Sequence, residues 1–132
     1  AGEFSFPMLF HIGDYRTPYS KPERLAHVHE LYPDLTLIAA HMGGYSEWDK
    51  AWKYLIGKDI WMDISSVMPL LSVEEVRKMV LAHGADRVLF ASDYPATRHD
   101  QAVQNVLKLG LPPEDNEKIF YRNAEKLLGI TC

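Results

Sequence analysis

The sequence predicts an α/β fold of four βα units with parallel strands, and three observations predict it. Short apolar runs alternate with amphipathic stretches along the chain, the pattern of strands joined by covering helices. His11, His41, Ser65 and Asp93 close successive apolar runs 30, 24 and 28 residues apart, close to the ~30 residues of a βαβ repeat. No low-complexity segment or flexible linker interrupts the series. A chain of 132 residues suits one compact domain with a modest core, so residues 1–132 are read as a single domain.

Each element follows from local chemistry. "PMLFHIGD" (7–14) supplies the first strand at about 7–12. After the turn-rich "GDYRTPYSKP", the stretch 21–32 places Leu25, Val28, Leu31 and Tyr32 at helical spacing. Pro22 stands near the helix start, where a missing N–H is tolerated, and Pro33 ends it. "LTLIAAHMGG" (35–44) carries the second strand at about 35–40. A helix near 46–56 then begins at the cap-like "SEWD" and stops at Gly57, with Trp48, Trp52 and Leu55 as its expected buried stripe.

"DIWMDI" (59–64) is the third strand. "SVEEVRKMVLAHG" supplies the best-marked helix, with Ser72 as N-cap, Glu75 three residues on and Gly84 as stop. "RVLFAS" is the fourth strand. A helix near 99–109, the "GLPPED" break and a final helix over roughly 114–128 complete the chain.

Composition excludes several classes of function. Hydrophobic residues at 47% and charged residues at 24% describe a globular chain and argue against disorder. A net charge of −4 without a Lys/Arg cluster leaves no electrostatic footprint for nucleic acid or an anionic membrane. Cys132 is the only cysteine, so no intrachain disulfide and no CxxC metal motif can form, and a reducing, cytoplasmic setting is expected. No apolar run approaches the ~20 residues of a membrane span, and the start lacks a signal-peptide layout. The opening "AGEF" is unlike the rest of the chain and reads as a cloning scar.

The chemistry concentrates at strand ends. Parallel sheets gather binding groups at their carboxyl edge, whether open or closed into a barrel, and His11, His41 and Asp93 all fall there. Neutral imidazole and carboxylate are ligands of a catalytic divalent ion such as Zn²⁺ that keeps an open position for water. A lone strand-end histidine is more often a hydrogen-bonded structural residue than a ligand. His11 gains from Gly13 and from Asp14, which could orient its ring. His41 gains from Gly43 and Gly44, which allow a sharp turn and a close approach to a ligand. For Asp93 the duller alternative is a turn former before Pro95.

The remaining histidines carry less. His27 and His29, two apart on the first helix, cannot share a face. His83 lies in a last helical turn, where the dipole favours an imidazolium. His99, six residues beyond Asp93, is a candidate substrate contact, with a helix-start surface residue as the commoner role. Trp48, Trp52 and Trp61 read most simply as core.

"LFHIGD", "AAHMGG", "MDISS", "VLFASDYP" and "NAEKLLGI" together resemble the carboxyl-terminal half of the amidohydrolase-2 family, metal-dependent hydrolases and decarboxylases related to aminocarboxymuconate-semialdehyde decarboxylase. The resemblance implies that the four strands are the fifth to eighth of a (β/α)₈ TIM barrel. It implies that His11 is a metal ligand, that His41 lies beside the metal and polarises water or substrate, and that Asp93 binds the metal and transfers the proton. The ion would be divalent, with zinc expected, and the substrate a small molecule. The family's first strand brings a His-x-His pair, and none precedes residue 7. "HVH" at 27–29 lies in a helical stretch, so that role is not carried onto it.

Four parallel strands leave two open edges and an uncovered face. The chain is therefore expected to form a homo-oligomer or to associate with the missing barrel half, with coverage by its own termini as the third option, and to be inactive in isolation. A non-catalytic half-barrel or interaction module is the competing reading. An open, doubly wound sheet with unrelated roles for His11, His41 and Asp93 is the structural alternative.

Overall fold

The computed structural model describes residues 6–68 and 70–131. The expected scar at 1–4 and Cys132 lie outside the described residues. Four strands form one sheet in the order β1-β2-β3-β4: β1 Met8–Phe10, β2 Leu37–Ala39, β3 Trp61–Asp63 and β4 Val88–Leu89. All neighbours pair in parallel. The order never reverses, which removes the doubly wound alternative, because that topology has a switch point within the sheet.

The helices follow the expected order: α1 Pro22–Leu31, α2 Trp48–Tyr54, α3 Val73–His83, α4 His99–Leu107, α5 Pro113–Glu117 and α6 Asn123–Leu128. A π-helical stretch, Lys118–Arg122, joins α5 to α6. The strands are half as long as expected or shorter, with residues lost at both ends. Among the described residues, no helix is long and apolar enough to cross a membrane.

Register explains the core. Phe10, Ala39, Met62 and Val88 pair in one row, with Met8 and Leu37 two residues earlier, so their side chains share one face. Leu37, Ala39, Met62 and Val88 are fully buried there against Leu25, Ala51, Leu55, Val76, Met79, Val80 and Val106 of the helices. The alternate row, Leu9, Ile38 and Trp61, faces away. Leu9 is 63% exposed, and Ile38 and Trp61 are half-buried. One face of the sheet is thus covered by helices, and the other presents an apolar strip of Leu9, Ile38 and Trp61 that ends at Asp63.

The best-marked helix forms as its sequence demands. Ser72 Oγ accepts from the Glu75 amide at 3.2 Å, and the Glu75 carboxylate accepts from the Ser72 amide at 3.0 Å. This is a capping box, and Gly84 closes the helix at φ 100°. At the other end of the chain, Asn123 Nδ2 donates to the carbonyls of Ala85 and Val88 at 2.7 and 2.8 Å, fastening α6 to the start of β4.

Four local expectations are corrected. Ser46 does not cap α2: its hydroxyl donates to the Gly13 carbonyl at 2.7 Å. Trp52 is 44% exposed and Trp48 and Trp61 are half-buried, so the α2 stripe consists of Ala51 and Leu55, with no tryptophan in the deep core. Leu31 and Tyr32 are exposed, because α1 turns Leu25 and Ala26 inward instead.

His83 is the fourth. It is buried, its Nε2 lies 2.8 Å from the Ile60 carbonyl, and its Nδ1 accepts from the Gly57 amide at 3.2 Å. One nitrogen donates and the other accepts, so the ring is neutral, and burial holds its pKa below the ordinary value. Desolvation outweighs the helix dipole here.

Candidate active site

The site grows from the carboxyl edge of the sheet. Among the described residues, five non-glycine residues adopt positive φ, namely His41, Met42, Tyr45, Ser66 and Asp93, and all lie just beyond β2, β3 or β4. Such backbone is held only where its surroundings enforce it, and it gathers at functional sites.

His41 and His11 are brought into contact. The Nδ1 of His11 lies 3.0 Å from Nε2 of His41, and the rings meet edge to face at 4.9 Å. Tyr45 completes the cluster, 4.8 Å from the His11 ring and 5.3 Å from the His41 ring. The His11 pKa is lowered, first by desolvation and then by His41, against the opposing pull of Asp14 and Asp93. His11 is therefore a neutral imidazole at ordinary pH, with a lone pair to offer.

His41 is buried and held from below by the end of β3. The Asp63 carboxylate accepts from the His41 amide at 3.1 Å and from the Ser65 hydroxyl and amide. His41 Nδ1 lies 3.0 Å from both the carbonyl and the hydroxyl oxygen of Ser65. Tyr45 and Asp63 were missed by sequence reasoning. For Asp63 a signal existed: an acidic residue two after Trp61 falls on the open face of its strand.

Asp93 is exposed, and its Oδ2 accepts from Ser66 Oγ at 2.6 Å. It acts on His11 through its charge without a direct contact to either histidine. His99 stacks on Tyr94 at 5.1 Å, and its Nδ1 lies 2.9 Å from Ser92 Oγ. A small cavity between β3, β4 and α4 has a mixed lining, with Ile64, Met68 and Val106 beside Ser66, Ser92 and Thr97. His27 is exposed, 3.9 Å from Glu30, and His29 is half-buried on α1.

Two expected supports are redirected. Asp14 does not orient His11: its carboxylate is gripped by Arg16 through Nε at 2.9 Å and Nη2 at 2.7 Å. The Arg16 hydrogen bonds hold its pKa down at about 2. Gly44 packs against the Trp48 ring, which a Cβ would meet at 2.1 Å. Trp48 Nε1 donates to the His41 carbonyl at 3.1 Å, so the tight packing serves the His41 turn.

The donors are of the right kind for a divalent ion, imidazole nitrogen and carboxylate oxygen. His11 Nε2 and Asp93 Oδ1 carry no bond within this cluster. The number of donors is small: among the described residues, no three His, Cys, Asp or Glu side chains group closely enough to hold a metal ion. The fit is that of a partial ligand set.

Comparison with known proteins bears on the family and the fold. A family model described as amidohydrolase matches residues 1–130. No curated protein matches. Among solved structures, an uncharacterized TIM-barrel protein from Bordetella bronchiseptica is similar at a TM-score of 0.77 and 24% identity, over 97% of this chain and 47% of that one. An amidohydrolase 2 from Bifidobacterium longum subsp. infantis gives 0.76 and 18%, over 98% and 52%. A dihydroxybenzoic acid decarboxylase from a Polaromonas species, with bound manganese and the inhibitor 2-nitroresorcinol, gives 0.69 and 20%, over 97% and 51%. The chain spans about half the length of these structures. Its four βα units are half of a (β/α)₈ TIM barrel.

Proposed function

The chain belongs to the amidohydrolase family, and on that premise we propose that it is the carboxyl-terminal half-barrel of a metal-dependent enzyme that hydrolyses or decarboxylates a small carboxylate. The observation that carries this reading is the pairing of His11 with His41 at 3.0 Å on the edge that also carries Asp93. Barrels of this kind do their chemistry at that edge.

His11 and Asp93 would hold a divalent ion, with further ligands from outside the described residues. An ion held there supplies Lewis-acid polarisation of a substrate oxygen. Imidazole suits zinc and carboxylate suits manganese, and the Polaromonas decarboxylase binds manganese, so zinc is one member of the proposed class. The neutral imidazole of His11 offers its nitrogen without first losing a proton. Asp93 takes or returns the proton at Oδ1 while the Ser66 hydroxyl fixes Oδ2. His41 and Tyr45 form the wall against which the substrate is oriented, and polarisation falls to the ion.

One observation favours a second reading, a module without turnover of its own: the ligand set of the described residues is partial. The two readings combine if the chain alone is inactive and the completed barrel is active. Calorimetry and metal analysis test this on both forms. Weak, substoichiometric binding is expected for the chain, and one ion per completed barrel, lost in His11→Ala and in Asp93→Asn. Tight binding by the chain that survives His11→Ala would overturn the assignment of His11.

A further inference from the structure

Strand β3 sends no candidate ligand to the sheet edge, yet its end touches the groups that do the work. The Ser65 hydroxyl donates its single proton to Asp63 Oδ1, so its oxygen can only accept on its other side. His41 Nδ1 lies 3.0 Å from that oxygen and 3.0 Å from the Ser65 carbonyl, which is an acceptor alone. A ring nitrogen that faces two acceptors carries the proton. With its one proton on Nδ1, His41 has a bare Nε2, and that Nε2 lies 3.0 Å from His11 Nδ1. His11 must then carry its own proton on Nδ1, which leaves its Nε2 bare.

We infer that Asp63 and Ser65 are positioning residues: through one directed chain of hydrogen bonds they fix the tautomer of His41 and, through it, that of His11. The nitrogen that His11 presents to an incoming ligand is therefore Nε2. The Asp63 carboxylate anchors the chain, because it also accepts from the amides of His41 and Ser65 at 3.1 and 2.9 Å, tying ring and backbone to one buried group. The naming of His11 as a ligand rests on the proposed function. The tautomers do not, since they follow from the donors and acceptors around two rings that each carry one proton.

The test is nitrogen NMR of the imidazole rings in the metal-free chain at pH 7.5, with each ring assigned by its single-site variant. Both His11 and His41 are expected as neutral rings protonated at Nδ1 and bare at Nε2. In His41→Leu, His11 loses its acceptor and shifts toward the Nε2–H form that free imidazole side chains favour. In Ser65→Ala, the His41 Nδ1 proton loses one acceptor, and its exchange with solvent rises about tenfold, the equivalent of one ordinary hydrogen bond. Ser65→Thr, which keeps the hydroxyl, restores slow exchange. A ring protonated at Nε2, or an imidazolium at His41, in the unsubstituted chain overturns the inference. So does exchange in Ser65→Ala that equals that of the unsubstituted chain. Failure of metal binding with these tautomers intact would count against the proposed function and leave the relay standing.

Discussion

Gly13 lies so close to Gly44 that a Cβ built on Gly13 would sit 1.9 Å from the Gly44 carbonyl oxygen. The two glycines join the loop after β1 to the loop after β2. The Ser46 hydroxyl bonds the Gly13 carbonyl at 2.7 Å and accepts from the Tyr15 amide at 3.1 Å. His11 and His41 are thereby fixed relative to each other through backbone as well as through their rings.

Gly13→Ala should therefore be among the most damaging single-methyl additions in the chain. Its φ of 92° disfavours a side chain, and the obstruction is backbone, which cannot swing aside. The expected loss is about 2 to 4 kcal/mol from combined strain and overpacking. Gly110 is the control: its φ is 61°, but nothing lies within 4 Å of where its Cβ would stand, so only the conformational penalty applies. Urea midpoints of the two variants would contradict this account if Gly13→Ala lost no more than Gly110→Ala.

His83 predicts a pH dependence of stability. Its folded pKa is lowered, mainly by burial, from the ordinary 6.5. The unfolded chain therefore takes up the proton first as pH falls. Stability from this residue is fully present above pH 6.5 and is lost as pH falls from there through the lowered folded value. His83→Gln should flatten that part of the profile, although it will be less stable at neutral pH because the bonds to Ile60 and Gly57 change. Equal slopes between pH 7.5 and 5.5 in the two proteins would refute the assignment of a buried neutral ring.

Legibility in the sequence followed the range of the interaction. The capping box of Ser72 and Glu75 and the stop at Gly84 involve neighbours along the chain, and they were readable. The order of strands and helices was readable for the same reason, since hydrophobic periodicity is local. Asp14 was assigned to His11 by proximity in sequence, but a guanidinium two residues away offers two charge-assisted bonds and wins the carboxylate. The role of Asp63 depends on His41, 22 residues earlier in the chain, and the neutrality of His83 depends on a carbonyl 23 residues away. Neither distance leaves a periodic trace.

The open sheet face should drive association. Leu9, Ile38 and Trp61 lie side by side in register, and they present an apolar strip that water does not favour. We expect the chain to self-associate or to bind a complementary half-barrel through this face. Leu9→Glu would place a charge at its most exposed point and shift the equilibrium toward monomer without touching the helix-side core. Sedimentation of the unsubstituted chain as a clean 15.1 kDa species at high micromolar concentration would count against this proposal.

The decisive test of the proposed chemistry is Asp93 in the completed barrel. Asp93→Asn keeps the size of the side chain and an oxygen that can still accept from Ser66, while it removes the charge and the proton acceptor. If Asp93 both helps hold the ion and moves the proton, turnover should fall by at least the ~10²–10⁴-fold that general acid–base catalysis is worth. Asp86→Asn is the matched control. Asp86 is exposed, 3.7 Å from Arg87, at the amino-terminal approach to the same strand, the end of a barrel that carries stability and not chemistry. Its substitution should leave turnover within a few-fold. Both variants should be assayed on small amides, lactones and aromatic or unsaturated carboxylates, with melting curves to confirm that each is folded. Near-parental turnover in Asp93→Asn, with loss of activity in a folded Asp86→Asn, would place the chemistry elsewhere and remove Asp93 from the site.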